Sequence, residues 1–151
     1  MKTLKIILGI VIVILIAIQF FPAKKNLGEN GTANDLIVMY NAPADVSQLL
    51  KSACYDCHSN HTEYPWYNRI QPVGWFLAND IKEGKEHLNM GDFGSYSAGR
   101  QQGELEGMIE HIEANEMPLP AYRLMHPEAR LSEQQKQSLT AWLEKTGEQI
   151  Q

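Results

Sequence analysis

The chain holds two cysteines, both inside the stretch "ACYDCHSNHTEYPWYNRIQPVGW" at 53–75. Cys54 and Cys57 stand three apart, and His58 follows the second directly. Cys-x-x-Cys-His at this spacing reads as c-type haem attachment. Two thiols so placed can add across the two vinyl groups of the macrocycle, and the adjacent imidazole is then delivered under the iron as proximal ligand. Three other chemistries share some of these residues. A thioredoxin-like Cys-x-x-Cys requires a βαβ setting, and no such pattern surrounds this one. A zinc site requires four ligands, commonly from two paired clusters; here they would come from Cys54, Cys57 and scattered histidines such as His61 and His87. A structural disulfide between the pair is the third.

An iron held in this way needs a ligand on its opposite face. The candidates are Met90, Met108, Met117, Met125, His61, His87, His111 and His126. Met108 falls on the apolar stripe of a helix and reads as core. His111 reads as part of a solvated face, and His61 lies too close to His58 to reach across the ring. Met117 follows a helix and precedes Pro118, which biases it to an extended backbone and frees its thioether to point inward. Met125 and His126 come next, followed by Met90. His58 Nδ1 is expected to donate to a backbone carbonyl, with Pro72 or a loop neighbour as acceptor, leaving Nε2 for iron. Trp66, Tyr67, Arg69 and Trp75 are candidates for the haem edge or the propionates, or for ordinary core packing.

These residues need elements to position them. "NAPADVSQLLKSACYDCH" reads as a helix, with Val46, Leu49, Leu50 and Ala53 on one face and the cysteines at or just beyond its end. "GWFLANDIKEGKEHL" (74–88) is a second, with Phe76, Leu77 and Ile81 in register. "NMGDFGSYSAGRQQG" reads as a loop. "ELEGMIEHIEAN" is a third helix, with Leu105, Met108, Ile109 and Ile112 on one face. Pro118, Pro120 and Pro127 interrupt "EMPLPAYRLMHPEARL", which is expected to be non-helical. "SEQQKQSLTAWLEKTG" is a fourth helix, with Ser132 and Gln135 as a capping box and Gly147 as C-cap. "LIVMY" (36–40) is expected to lie extended. The expected class is mostly α, and Pro/Gly-rich loops this long in a small domain usually wrap something.

Ahead of these lies "IILGIVIVILIAIQFFPA", 6–23, free of charge. As a helix it extends about 27 Å, close to the hydrocarbon thickness of a bilayer. Lys2 and Lys5 precede it, and "QFFPAKK" is a poor cleavage site, so the expectation is an uncleaved signal-anchor over 1–23. Residues 24–42 then read as a flexible tether and 43–147 as the domain. Thioether attachment takes place outside the cytoplasm, which would set the domain on the periplasmic or extracytoplasmic side of a single-pass bacterial membrane protein. The chain's net charge is −5, and setting aside Lys2 and Lys5 takes it to −7. That argues against nucleic acid as a partner and suits a redox protein with a basic docking patch.

The stretch "CYDCHSNHTEYPWYNRIQPVGW", then "EGKEHLN", then "MPLPAYRLMHPEARLS" and a helix with a Trp, resembles the small haem-binding domain family of bacterial c-type cytochromes. The resemblance covers about 43–145. It implies one covalent haem c, a cytochrome c-like helical fold, haem attachment at Cys54 and Cys57, His58 as proximal ligand and Met117 of "MPLP" as distal ligand. One departure is visible: Met90 stands after "LN" where the family usually has an aromatic. The function so implied is single-electron transfer, an electron carrier more than an enzyme. The alternative is a haem peroxidase or a gas or redox sensor with an open or displaceable sixth site, with His126 or Arg123 as its polar group.

Overall fold

In the computed structural model, which describes residues 2–150, eight α-helices alternate with 3-10 turns and loops. The mostly α expectation agrees with this. The first helix, α1, runs Lys2–Ile18 and buries none of its residues. The expected transmembrane helix over 6–23 is corrected here. α1 has 17 residues, about 26 Å of rise, where a span takes about 20 consecutive apolar residues. Its last turn tightens, with the N–H groups of Gln19, Phe20 and Phe21 reaching back three residues, and Pro22 then stops it. Gln19 exchanges hydrogen bonds with Gln71, its Nε2 donating to the carbonyl at 3.0 Å and its Oε1 accepting from the N–H at 2.9 Å. Among the described residues no helix is long and apolar enough to cross a membrane. The single-pass localisation falls with the span.

"LIVMY" is not extended. Leu36–Met39 forms a short helix, α2, because the Asp35 carboxylate caps it, accepting from Ile37 N. α3 (Ala44–Ala53) and α4 (Tyr55–His58) meet at Cys54. The apolar face read from the sequence is the buried one: Val46, Leu50 and Ala53 face the core, and Leu49 packs beside them. α5 (Val73–His87) follows a 3-10 turn at Trp66–Arg69. Of its expected stripe only Ile81 is buried; Phe76 is 68% exposed.

The segment 89–103, read as loop, instead holds a 3-10 helix at Met90–Ser95 and the first turns of α6, which runs Ala98–Glu113. The proline-rich segment also contains a helix, α7 (Pro120–Met125). Pro120 occupies its first position, where the missing N–H costs nothing. α8 (Glu133–Gly147) starts at the expected capping box, with Ser132 Oγ accepting from Gln135 N at 3.2 Å and Gln135 Oε1 accepting from Ser132 N at 2.8 Å. Gly147 is the helix's last residue, and Glu148 is the cap.

α6 and α8 lie against each other, α3 packs on α8, and the core runs through Leu36, Val46, Leu50, Tyr55, Leu88, Met90, Phe93, Leu105, Ile112, Leu139 and Leu143. Each such side chain contributes about 1.5–3 kcal/mol by leaving water. This core fixes α3, and the end of α3 presents the cysteines.

Candidate functional site

Cys54 is the C-cap of α3, and α4 begins one residue later. The N–H groups of Cys57 and His58 both return to the Cys54 carbonyl, at 3.2 and 3.0 Å. The motif is therefore one tight turn wound on a single carbonyl. The two residues between the cysteines hold it from two partners. Tyr55 is buried, and its hydroxyl donates to Asp35 Oδ1 at 2.7 Å. Asp56 accepts from Glu63 N through Oδ1 at 2.9 Å and from the Tyr122 hydroxyl through Oδ2 at 2.6 Å.

Both cysteines are free thiols, half-buried. Burial pushes each thiol up to about 12, reinforced at Cys54 by Cys57 and at Cys57 by Asp56 and Asp80. A dithiol built for disulfide exchange has the opposite shift, with a thiol pKa lowered to about 3.5–7. His58 Nδ1 lies 3.1 Å from the Leu88 carbonyl. A carbonyl can only accept, so Nδ1 carries the proton and Nε2 keeps its lone pair. The acceptor is Leu88, thirty residues on, and not Pro72. Burial lowers the His58 pKa while the Leu88 and Gly84 carbonyls pull it back up, which favours the neutral ring, the form that ligates metals.

α5 crosses the motif at Gly84. A Cβ there would stand 2.9 Å from the Cys57 carbonyl oxygen and 3.3 Å from its Cβ. Glycine permits this close approach, and the same turn of α5 brings Leu88 to His58.

The residues after the motif are clamped by the segment expected to be a free tether. Asn26 Nδ2 donates to the Ser59 carbonyl at 3.0 Å, Asn30 Nδ2 to Ser59 Oγ at 2.8 Å, and Gly28 N to the Asn60 carbonyl at 2.7 Å. Ser59 is fully buried. Sequence reasoning did not assign these roles; the run of short polar residues at 26–34 was the available signal.

Met117 is placed by the end of α6. Asn115 adopts a left-handed conformation, φ 61°, which asparagine tolerates. Asn115 N returns to the Ile112 carbonyl, and Glu116 N to the His111 carbonyl, the bond pair of a Schellman cap. Met117 N also reaches His111 O, at 3.2 Å. The Met117 side chain, about one-third exposed, helps line a cleft of about 380 Å3 with Pro118, Pro120, Arg123, Leu124, Arg130, Leu131 and Lys136.

Several of the rival ligands are engaged elsewhere. Met90 is fully buried in the core, and Met108 packs against it. His126 Nε2 lies 2.7 Å from the Tyr67 hydroxyl and Nδ1 3.0 Å from Glu128, so both ring nitrogens are taken. Its ring stacks on Tyr122 at 4.2 Å. Arg123 donates to the Asn115 carbonyl. Met125 is half-exposed. Trp66, Arg69 and Trp75 are exposed and Tyr67 is half-buried, so core packing accounts for none of the four. Trp75 Nε1 donates to the Phe21 carbonyl.

Among the described residues no three His, Cys, Asp or Glu side chains group to hold a metal ion. A tetrapyrrole carries its own four nitrogens and needs from the protein only axial ligands and an apolar wall. Trp66, Phe76 and Leu124 stand 73%, 68% and 71% exposed, large apolar side chains without an apolar cover. Two free thiols, an imidazole with Nε2 available and uncovered apolar side chains together fit a haem.

A model of the family described as "Haem-binding domain" matches residues 13–145. No curated protein and no solved structure compared with the chain matches it.

Proposed function

The chain belongs to the haem-binding domain family, and from that premise we propose that it carries one covalent haem c and transfers single electrons. Cys54 and Cys57 hold it by thioethers; each S–H adds across a vinyl C=C, the sulfur to one carbon and the proton to the other, with no net oxidation. His58 Nε2 is the proximal ligand and Met117 sulfur the distal one. The iron would supply an Fe(III)/Fe(II) couple, whose potential a methionine thioether would raise relative to a second imidazole.

The observation that carries this reading is the His58 Nδ1–Leu88 carbonyl hydrogen bond, which fixes the tautomer and aims Nε2 away from the backbone in a motif with two unoxidised thiols. Asp56 and Tyr55 keep the turn rigid. The Asp56–Tyr122 bond ties α7, which begins three residues after Met117, to the same turn. A redox protein with a basic patch is the proposed partner, on the charge argument.

The test is acidified-acetone extraction of the purified holoprotein, with haem staining on a denaturing gel and a pyridine haemochrome spectrum. Colour that stays with the chain, and is lost from it in a Cys54→Ser, Cys57→Ser double variant, is expected. Haem that extracts from the unaltered chain would falsify covalent attachment.

A further inference from the structure

The basic residues at 24–25 join another feature, and the reading above does not use it. Lys24, Lys25 and Asn26 fold back over α5, and with Tyr64, Trp75, Ala78, Asn79, Ile81, Lys82 and Lys85 they enclose a cleft of about 460 Å3. Trp75, Ala78, Asn79, Lys82 and Lys85 recur at helical spacing on one face of α5. Four lysines line the cleft in a chain of net charge −5, and no carboxylate is among its lining residues.

The contacts that shape it do not neutralise it. Lys85 Nζ donates to Asn26 Oδ1 at 2.8 Å, which pins the backfolded segment to α5. Lys25 stands 5.3 Å over the Tyr64 ring. Lys82 pairs with Glu86 at 3.7 Å, and both side chains are well exposed, a pairing worth little. Glu83 accepts from Asn79 on the same helix.

We propose that this cleft binds a small multivalent oxyanion of the phosphate class, at a site separate from Cys54, Cys57 and His58. Its volume falls in the range of small-ligand sites. Lysine ammonium groups are compact, strongly hydrated point charges that bind phosphate oxygens without the bidentate geometry an arginine fork would impose.

Isothermal titration of the full-chain holoprotein with sodium pyrophosphate, at constant ionic strength set with sodium chloride, tests this. Saturable one-to-one binding is expected, weakened about tenfold or more in a Lys24→Gln, Lys82→Gln double variant, since two of the four lining charges are lost. Lys24→Gln alone, with its melting temperature checked, is expected to weaken binding by a smaller factor. Heats that do not saturate, or an affinity equal in all three proteins, overturn the site. Binding to phosphatidylglycerol vesicles without binding to free pyrophosphate also overturns it, by assigning the charge to a lipid surface. The outcome is independent of the haem, which is read separately by the haemochrome spectrum.

Discussion

The Tyr122 hydroxyl donates to Oδ2 of Asp56 at 2.6 Å, and Asp56 lies between the two cysteines. The hydrogen bond joins α7 to α4 across sixty-six residues of chain. Burial, and then the hydrogen bond to Asp56, push the Tyr122 phenol well above its ordinary pKa, so it remains a donor at any working pH. Replacing Tyr122 with Phe leaves the carboxylate oxygen without this partner. A hydrogen bond to a charged group contributes about 1.5–3 kcal/mol, and half-burial puts the expected loss at the lower end. Urea unfolding measures it. In the holoprotein the Tyr122→Phe variant is expected to lose Met-to-iron charge-transfer absorption, in the far red, at a lower urea concentration than it loses helical circular dichroism. Coincident loss of the two signals in the variant counts against the tie.

The distal assignment is tested by removing sulfur atoms one at a time. Met117→Ala is expected to abolish the far-red band of the oxidised protein, while Met125→Ala and His126→Ala retain it. Met90→Leu, a volume-conserving change in the core, is expected to cost less than about 1.5 kcal/mol and to leave the band intact. A band that survives Met117→Ala and disappears in Met125→Ala moves the ligand to α7.

Gly84 and Gly103 make opposite predictions for the same substitution. Alanine at 103 meets nothing within 4 Å and should stabilise α6 by about 0.8–1 kcal/mol. Alanine at 84 meets the Cys57 backbone at 2.9 Å. The propensity gain there is overtaken by an overpacking cost of about 1–3 kcal/mol, so the melting temperature should fall. Equal effects at the two sites would show that α5 is not held against the motif.

The lowered His58 pKa sets a pH dependence in the chain before haem is attached. The folded state resists protonation while the unfolded state takes a proton near pH 6.5. The contribution of this group is therefore complete above about pH 6.5 and is lost as pH falls through the lower folded pKa. Unfolding free energy measured against urea should decline as pH drops from about 6.5 towards the folded pKa and then level off. His58→Gln, which cannot titrate, is expected to flatten the decline.

The motif and the helices with full caps or strong periodicity were legible in the sequence. Val46, Leu50 and Ala53 mark the buried face of α3, and Ser132 with Gln135 marks the start of α8. Where local signals conflicted with tertiary context, the sequence misled. "LIVMY" has β-branched residues that favour extension, yet the Asp35 cap and burial of Leu36 make it helical. Pro120 reads as a breaker and serves as a helix start. Phe76 fits an apolar stripe and stands in solvent. The uncharged run at 6–23 is helical only to Ile18, and Gln19 just beyond it bonds Gln71, a partner fifty-two residues away that no local pattern displays. Leu88 as the partner of His58 is hidden for the same reason: the contact exists only because Gly84 lets α5 settle on the motif.

α7 buries none of its residues, whereas α6 and α8 face each other across the core. The segment bearing Met117 is thus secured by side-chain bonds and a stacked ring, and the cysteine turn by the hydrophobic interior. In the language of amide exchange these are two units with separate opening energies. Deuterium should enter the backbone of 120–126 long before it enters 105–112 or 139–146. On the proposed ligation, the Met117 side of the site would then breathe while the cysteine side stays shut, and a visitor to the iron would enter past Met117 without unfolding the protein.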